Sequence, residues 1–256
     1  MDWQNKVIFL TGASSGIGEA LALELCGRGA VVGLFARRKD RLEEISEKCG
    51  AFGGTSRIFP GDVRDARRVR EAADAMRDEF GRIDILIANA GIGGNNRETR
   101  DLQPSAVGEV IEINLLGAVN AVHAVLPDML QKGAGQLVAI SSLAGFRGLP
   151  KSAAYCASKA GMTAFFESVR LDTIGSGVSV TIIQPGFIKT PLTSGREAKM
   201  PFLMELDSAI PYFIKAIEGK KRYAAFPWQL AAIVKFARFL PAWLYDGIAG
   251  RASYRE

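Results

Sequence analysis

The sequence predicts an α/β fold: a single domain built on a doubly wound sheet of about seven parallel strands, with helices on both faces. Short apolar runs alternate with amphipathic helical patterns along most of the chain, which is the rhythm of right-handed βαβ crossovers. The first run leads directly into a glycine-rich turn that opens a helix. The 256 residues suffice for one core, and no repeat of 20 to 50 residues competes with this reading.

The strands expected in the first half are "KVIFL" (6–10), "AVVGLFA" (30–36), "SRIF" (56–59) and "IDILIA" (83–88). Between them, "IGEALALELCGRG", "KDRLEEISEKCG" and "DARRVREAADAMRDEFG" place apolar residues at three- and four-residue spacing and stop at glycine, as helices often do. "AVGEVIEINLLGAVNAV" continues the helical pattern. The second half repeats the alternation with strand "GQLVAIS" (135–141), a helix over 152–174, strand "VSVTIIQP" (178–185) and strand "RYAAFP" (222–227).

Composition narrows the function classes. A hydrophobic fraction of 48% with 23% charged residues belongs to a globular chain, neither disordered nor fibrous. Cys26, Cys49 and Cys156 form no even set and no C-x-x-C, so they read as free thiols of a reducing cytoplasm. A lone histidine, His123, excludes a histidine-based metal cluster and reads as a helix residue near the core edge. The N-terminus, "MDWQNKVIFL", lacks a charged region followed by a signal core, and no run of about 18 apolar residues is uninterrupted, so neither export nor a spanning helix is expected. The net charge of +5 is dispersed among acids, as on a solvated face. The excess would equally suit an anionic cofactor or a phospholipid surface.

Two motifs carry chemistry. "TGASSGIG" (11–18) places Gly12, Gly16 and Gly18 between a strand and a helix, where backbone N–H groups and the helix dipole can hold a pyrophosphate. "YCASK" puts Tyr155 and Lys159 at i and i+4, on one face of a helix. A phenol with pKa ~10 is poorly poised for proton transfer near neutrality, and a neighbouring ammonium makes its ionised form accessible. At the end of the second strand, "FARRKD" offers Arg37 and Arg38 where a carboxylate would otherwise meet ribose hydroxyls, while Ala36 leaves room. Forked, charge-assisted bonds from these arginines, with Ser14 as a further donor, would hold a 2′-phosphate, so NADP is predicted over NAD.

The Gly-x-x-x-Gly-x-Gly spacing, "ANAG" at 88–91 and the Tyr-x-x-x-Lys pair together resemble the short-chain dehydrogenase/reductase family, over nearly all of the chain from Lys6 to Thr190. The resemblance implies a Rossmann-like fold, a nicotinamide cofactor and a catalytic set of Asn114, Ser142, Tyr155 and Lys159. "GDV" supplies Asp62 and Val63 as the adenine-contacting turn, and "QPGFIKT" supplies Pro185, Gly186, Ile188 and Thr190 as a loop over the nicotinamide. Ser14, Ser15, Ile17, Asn89, Ala90 and Gly91 complete the expected cofactor site with the three glycines and the two arginines. Tyr155 and Lys159 also belong to it, Lys159 as a hand on the nicotinamide ribose. Ser142 stands thirteen positions ahead of Tyr155, as in the family, and its hydroxyl would bond the substrate oxygen. The neighbouring Ser141 would face the other way, since successive strand residues do. Asn114 is expected to interrupt its helix and to hold a water between its backbone and Lys159. Relatives pair through the long helices holding Asn114 and Tyr155, which implies a homodimer or homotetramer.

On this basis residues 1–190 are the cofactor-binding and catalytic core, 191–220 a substrate loop and lid helix, and 221–256 the last strand with an apolar extension. Phe187, Leu192, Met200, Phe202, Leu203 and Met204 read as an apolar substrate wall or as plain core. "PWQLAAIVKFARFLPAWLYDGIAGR", with Lys235 and Arg238 inside it and Trp228, Trp243 and Tyr245 near its ends, is too short to span a bilayer. Core or dimer contact, an interfacial membrane helix and a partner-docking helix all fit it. The expected function is an NADP(H)-dependent oxidoreductase interconverting a carbonyl and a secondary alcohol on a lipophilic small molecule. A 3-oxoacyl carrier-protein reductase and a non-catalytic NADP-sensing module are the alternatives.

Overall fold

The computed structural model describes residues 1–94, 101–195 and 200–250. One sheet of seven strands runs in the order β3-β2-β1-β4-β5-β6-β7, every neighbouring pair parallel. The strands are β1 (Val7–Thr11), β2 (Val31–Ala36), β3 (Thr55–Pro60), β4 (Ile85–Ala88), β5 (Gly135–Ile140), β6 (Val178–Pro185) and β7 (Tyr223–Phe226). Each coincides with an apolar run of the sequence to within a residue or two. The chain winds outward from β1 in both directions, so a crevice opens between the C-terminal ends of β1 and β4, where ligands of such sheets bind.

Successive strand residues feed opposite layers. Ile8, Leu10, Leu34 and Ile183 pack with α1 (Gly16–Gly27), α2 (Lys39–Ala51) and α7 (Leu206–Glu218). Phe9, Phe35, Leu86 and Ile182 pack with α3 (Ala66–Phe80), α5 (Gly117–Lys132) and α6 (Ala153–Asp172). Fully buried side chains such as Leu21, Leu25, Met76 and Phe166 each contribute roughly 1.5–3 kcal/mol by leaving water. Helix ends follow local chemistry. The Asp65 carboxylate accepts from the backbone N–H groups of Arg67 and Arg68 to start α3, and Gly81 at φ +76° ends it.

The pattern expected as one helix over 106–122 is part of a helical stretch from Pro104 to Lys132, in which α4 (Pro104–Ile111) and α5 are joined by a π turn at Glu112–Leu116. By length and composition alone this stretch could cross a membrane, but half of its most apolar window is buried within the fold. The expected lid helix is a different object. α7 buries Ala209, Ile210, Phe213, Ile214 and Ile217 against α1 and the sheet, because its apolar residues form one wide stripe, so it is a layer of the core. Residues 196–199 of the expected substrate loop lie outside the described residues.

The C-terminal extension forms α8 (Trp228–Ala237) and α9 (Ala242–Ala249), which lie over the C-terminal edge of the sheet. Leu230 and Ala231 face inward and are buried. The outward residues are exposed: Trp228 at 73%, Phe236 at 68%, Phe239 at 83% and Trp243 at 76%.

Candidate active site

The glycine-rich turn closes under geometric necessity. Gly12 sits at φ +69°, and a Cβ there would lie 2.6 Å from Ala90 Cα. A Cβ on Gly18 would lie 2.1 Å from the Gly12 carbonyl oxygen, so this glycine allows the first turn of α1 to press against the strand end. Gly18 therefore does not line the cleft. Thr11 and Asn89 fasten the two strand ends together. Thr11 Oγ1 accepts from the N–H groups of Asn89 (3.1 Å) and Ala90 (3.2 Å), and Asn89 Nδ2 donates to the carbonyls of Thr11 and Gly12, both at 3.1 Å. Thr11 was not singled out from the sequence, although it is the first letter of the glycine motif.

A cleft of about 590 Å³ runs from this turn along the C-terminal edge of the sheet. Its lining contains Gly12, Ser14, Ser15, Gly16, Ile17, Arg37, Arg38, Asp62, Val63, Asn89, Ala90, Gly91, Ser142, Tyr155, Lys159, Pro185, Gly186, Ile188 and Thr190. At one end, Arg38 Nη2 donates to both the carbonyl and the hydroxyl oxygen of Ser14, each at 3.0 Å, with Ala36 and Arg37 alongside. Asp62 is gripped by Arg64 through a 2.7 Å side-chain bond, which holds its carboxyl below the usual range, with the field of Arg37 adding to the effect.

At the other end, α6 presents Tyr155 and Lys159 one turn apart. Lys159 Nζ lies 5.9 Å from the centre of the Tyr155 ring and donates to the Ile140 carbonyl at 2.8 Å. It is 4% exposed, and burial pushes the ammonium down from 10.5 to about 8. Ser142, two residues past the end of β5, caps a short 3₁₀ turn, Leu143–Gly145, by accepting from the Ala144 N–H at 3.1 Å. The hydroxyl of Ser141 is committed to α6, 3.1 Å from the Lys159 carbonyl and 2.8 Å from Thr163 Oγ1. This division supports Ser142 as the residue that meets a ligand. Gly145 lets the turn touch α6, since a Cβ there would be 3.0 Å from the Lys159 backbone.

Asn114 interrupts its helix, as expected. It sits in the π turn, fully buried, and does not line the cleft. Its Oδ1 accepts from the Ile92 N–H (2.8 Å), and its Nδ2 donates to the Ile92 carbonyl and to Ser158 Oγ, both at 3.0 Å. Ser158 in turn donates to the Tyr155 carbonyl at 2.8 Å. Asn114 thereby ties the segment after β4 to the helix carrying Tyr155 and Lys159, which makes it a positioning residue. Gly91 brings the two sides close: a Cβ there would be 3.2 Å from Asn114 Oδ1 and 3.6 Å from Lys159 Nζ.

The remaining wall is apolar. Phe187, Leu192 and Met200 line it as expected, whereas Phe202 is 46% exposed and Leu203 is absent from the lining. Met204 pairs with Ile188 and packs on the core, so it too leaves the cleft. The C-terminal helices close this side with Leu230, Ile233, Val234, Ala237, Tyr245 and Ile248. Arg147 fixes them in place. Its Nη1 donates to the carbonyls of Ala237 (2.5 Å) and Leu240 (2.9 Å), its guanidinium lies 3.8 Å from the Tyr245 ring centre, and the Tyr245 hydroxyl donates to the Gly148 carbonyl at 2.6 Å. His123, 2.7 Å from an Arg70 nitrogen, is remote from the cleft, and no group of metal-ligating side chains occurs among the described residues.

Comparison with known proteins places this geometry. The sequence profile of the short chain dehydrogenase family matches residues 6–201. An uncharacterised oxidoreductase of Myxococcus xanthus is 42% identical over 246 residues, covering 96% of this chain and 97% of that protein. 11-beta-hydroxysteroid dehydrogenase 1A of Arabidopsis thaliana is 38% identical over 192 residues, which span 75% of this chain and 54% of the plant protein. Among solved structures, a short-chain type dehydrogenase/reductase from Mycobacterium marinum shares the fold at TM-score 0.81 and 24% identity, covering 88% of this chain and 95% of that one. Carveol dehydrogenase from Mycobacterium avium in complex with NAD superposes at TM-score 0.72 with 25% identity, over 77% of this chain and 76% of that one.

Proposed function

The chain belongs to the short-chain dehydrogenase/reductase family of oxidoreductases, which bind a nicotinamide cofactor, and from that premise we propose that it is an NADP(H)-dependent enzyme interconverting a lipophilic ketone and its secondary alcohol. The observation that carries this reading is the convergence of Ser142, Tyr155 and Lys159 at one end of a cleft whose other end holds Arg37 and Arg38. A dinucleotide fits the residues present: Gly12 and Gly91 leave no room for a side chain where its backbone cradle would be, and α1 directs its N-terminus at the same place.

When bound, the reduced nicotinamide supplies the hydride for the carbonyl carbon. Ser142 Oγ holds the carbonyl oxygen by a hydrogen bond and orients it towards Tyr155. The Tyr155 hydroxyl gives its proton to that oxygen as negative charge builds there. The Lys159 ammonium, buried and one turn away, stabilises the phenolate left behind. In the alcohol-oxidising direction the same phenolate takes the proton back. Ala36, Arg37 and Arg38 favour a 2′-phosphate over a bare ribose, in contrast to the NAD held by the carveol dehydrogenase. Phe187, Leu192, Met200, Val234 and Ile248 favour an apolar substrate, in keeping with the names of the hydroxysteroid and carveol dehydrogenases.

The test is NADPH and NADH consumption by wild type and Tyr155→Phe over alicyclic ketones, ketosteroids and 3-oxoacyl thioesters. Turnover by wild type with NADPH, lost in Tyr155→Phe with NADPH binding intact, is expected. Equal use of NADH overturns the cofactor assignment, and tight NADPH binding without any turnover favours the sensing role.

A further inference from the structure

The outer face of α8 and α9 is an apolar surface with a particular charge. Trp228, Phe236, Phe239 and Trp243 are each more than two-thirds exposed, and the exposed Lys235 and Arg238 lie among them. Across α8 and α9 and the turn between them the chain carries these two cations and one acid, the exposed Asp246 of α9. The inward residues Leu230, Val234 and Ala237 recur at helical spacing on the opposite side, against the cleft. The two faces meet at the cleft mouth. Ile233 and Ile248 line the cleft and are also 55% and 57% exposed, so apolar surface runs without a break from the interior onto the outer face.

We propose that this face docks on an anionic lipid bilayer and that the cleft mouth opens onto the bilayer surface, from which the lipophilic substrate enters. The substrate part rests on the function proposed above; the docking part does not. α8 has ten residues and α9 eight, too few to span a bilayer, so both lie in the interfacial plane with the aromatic residues seated among the acyl chains. Lys235 and Arg238 meet the headgroup phosphates. A second copy of the chain fits less well. A two-fold contact would set this face against itself, opposing Lys235 and Arg238 to their own copies with a single acid per chain, Asp246, to answer the two cations. An acyclic or alicyclic ketone dissolved in the bilayer would reach Tyr155 along the Ile233–Val234 wall without crossing water.

The experiment is co-sedimentation of the full chain with vesicles of phosphatidylcholine alone and of phosphatidylcholine with phosphatidylglycerol, read without turnover. Binding to the anionic vesicles is expected, weakened by salt. Phe239→Ser and Trp243→Ser should each lower partitioning on the order of tenfold, and Lys235→Gln or Arg238→Gln about fivefold. NADPH affinity should stay unchanged in all four, which shows that the variants fold. A wild-type protein that binds NADPH but leaves both vesicle types unbound overturns the proposal. So does a dimer in solution that Phe239→Ser dissociates, because the occupant is then a second copy. Vesicle binding by a protein inactive on every carbonyl would leave the docking standing and remove the enzymatic reading, so the two fail separately.

Discussion

Lys159 Nζ donates a 2.8 Å hydrogen bond to the carbonyl oxygen of Ile140, the last residue of β5. The bond anchors a buried ammonium at the strand end from which Ser142 also projects, so one contact fixes the spacing between the residues that would handle the proton.

The position of Lys159 gives the reaction a pH signature. Burial brings this group to about 8, so its cationic form falls away as pH rises through that value. In the proposed mechanism, carbonyl reduction needs both the cation and the Tyr155 proton. The kcat/KM for ketone reduction should be flat below about pH 8 and fall above it. A profile level to pH 10 would contradict this.

The same burial makes Lys159 a cost to the fold. Below pH 8 the native state holds a desolvated cation and the penalty is fully present. Between about 8 and 10.5 the unfolded chain binds a proton that the folded one has released, so wild-type stability rises with pH. Lys159→Met should therefore be inactive and yet more stable at pH 7, by about 2 kcal/mol, taking on the order of 3 from the depressed pKa and removing about 1 for the unpaired Ile140 carbonyl. Its advantage should shrink above pH 8 and turn into a deficit of about 1 kcal/mol near pH 10.5, where only the unpaired carbonyl counts. Denaturant unfolding at several pH values reads both effects.

At the opposite end of the cleft, Arg38 makes two bonds to Ser14 and faces the expected 2′-phosphate site. Arg38→Ala should weaken NADPH by about 10- to 100-fold, the usual worth of a charge-assisted bond, while changing NADH by about twofold at most. Fluorescence titration with both cofactors is the check. Equal losses for the two would mean that Arg38 shapes the loop and does not read the phosphate.

Arg147 holds the C-terminal helices through Ala237, Leu240 and Tyr245. Arg147→Ala should free them: trypsin should cut at Lys235 and Arg238 severalfold faster, and KM for a bulky ketone should rise with kcat nearly unchanged. NADPH affinity should not move. Unaltered proteolysis would show that the other contacts suffice.

Much of this arrangement was legible in the sequence. Strands buried on both faces leave continuous apolar runs, and the glycine turn and the Tyr155–Lys159 pair are local patterns whose geometry follows from a strand end and a helical turn. What escaped depends on partners distant in the chain. Asn114 was expected to interrupt its helix and does so, but no periodicity announces that the break is a π turn or that its side chain bonds Ile92 and Ser158. α7 was expected as a lid because an amphipathic helix does not say what its apolar stripe will cover. The Arg147–Tyr245 contact joins residues almost a hundred positions apart. Met200 and Met204 are alike in composition and differ only in which side of the 200–204 segment each occupies.

The match to the family ends at residue 201, whereas the helices that roof the apolar end of the cleft begin at Trp228. On the proposed reading the proton-handling groups all lie within that match, whereas the apolar wall is shared between Phe187, Leu192 and Met200 inside it and the helices beyond it. The roof is held by the bonds of Arg147 to Ala237 and Leu240, by the Tyr245 hydroxyl on the Gly148 carbonyl and by Leu230's seat beside Gly186. If the proposed substrate wall is right, the two helices after Pro227 should be exchangeable between relatives. A relative's tail grafted after Pro227 could redirect the catalyst to another alcohol while its proton relay and nucleotide cradle stay as inherited.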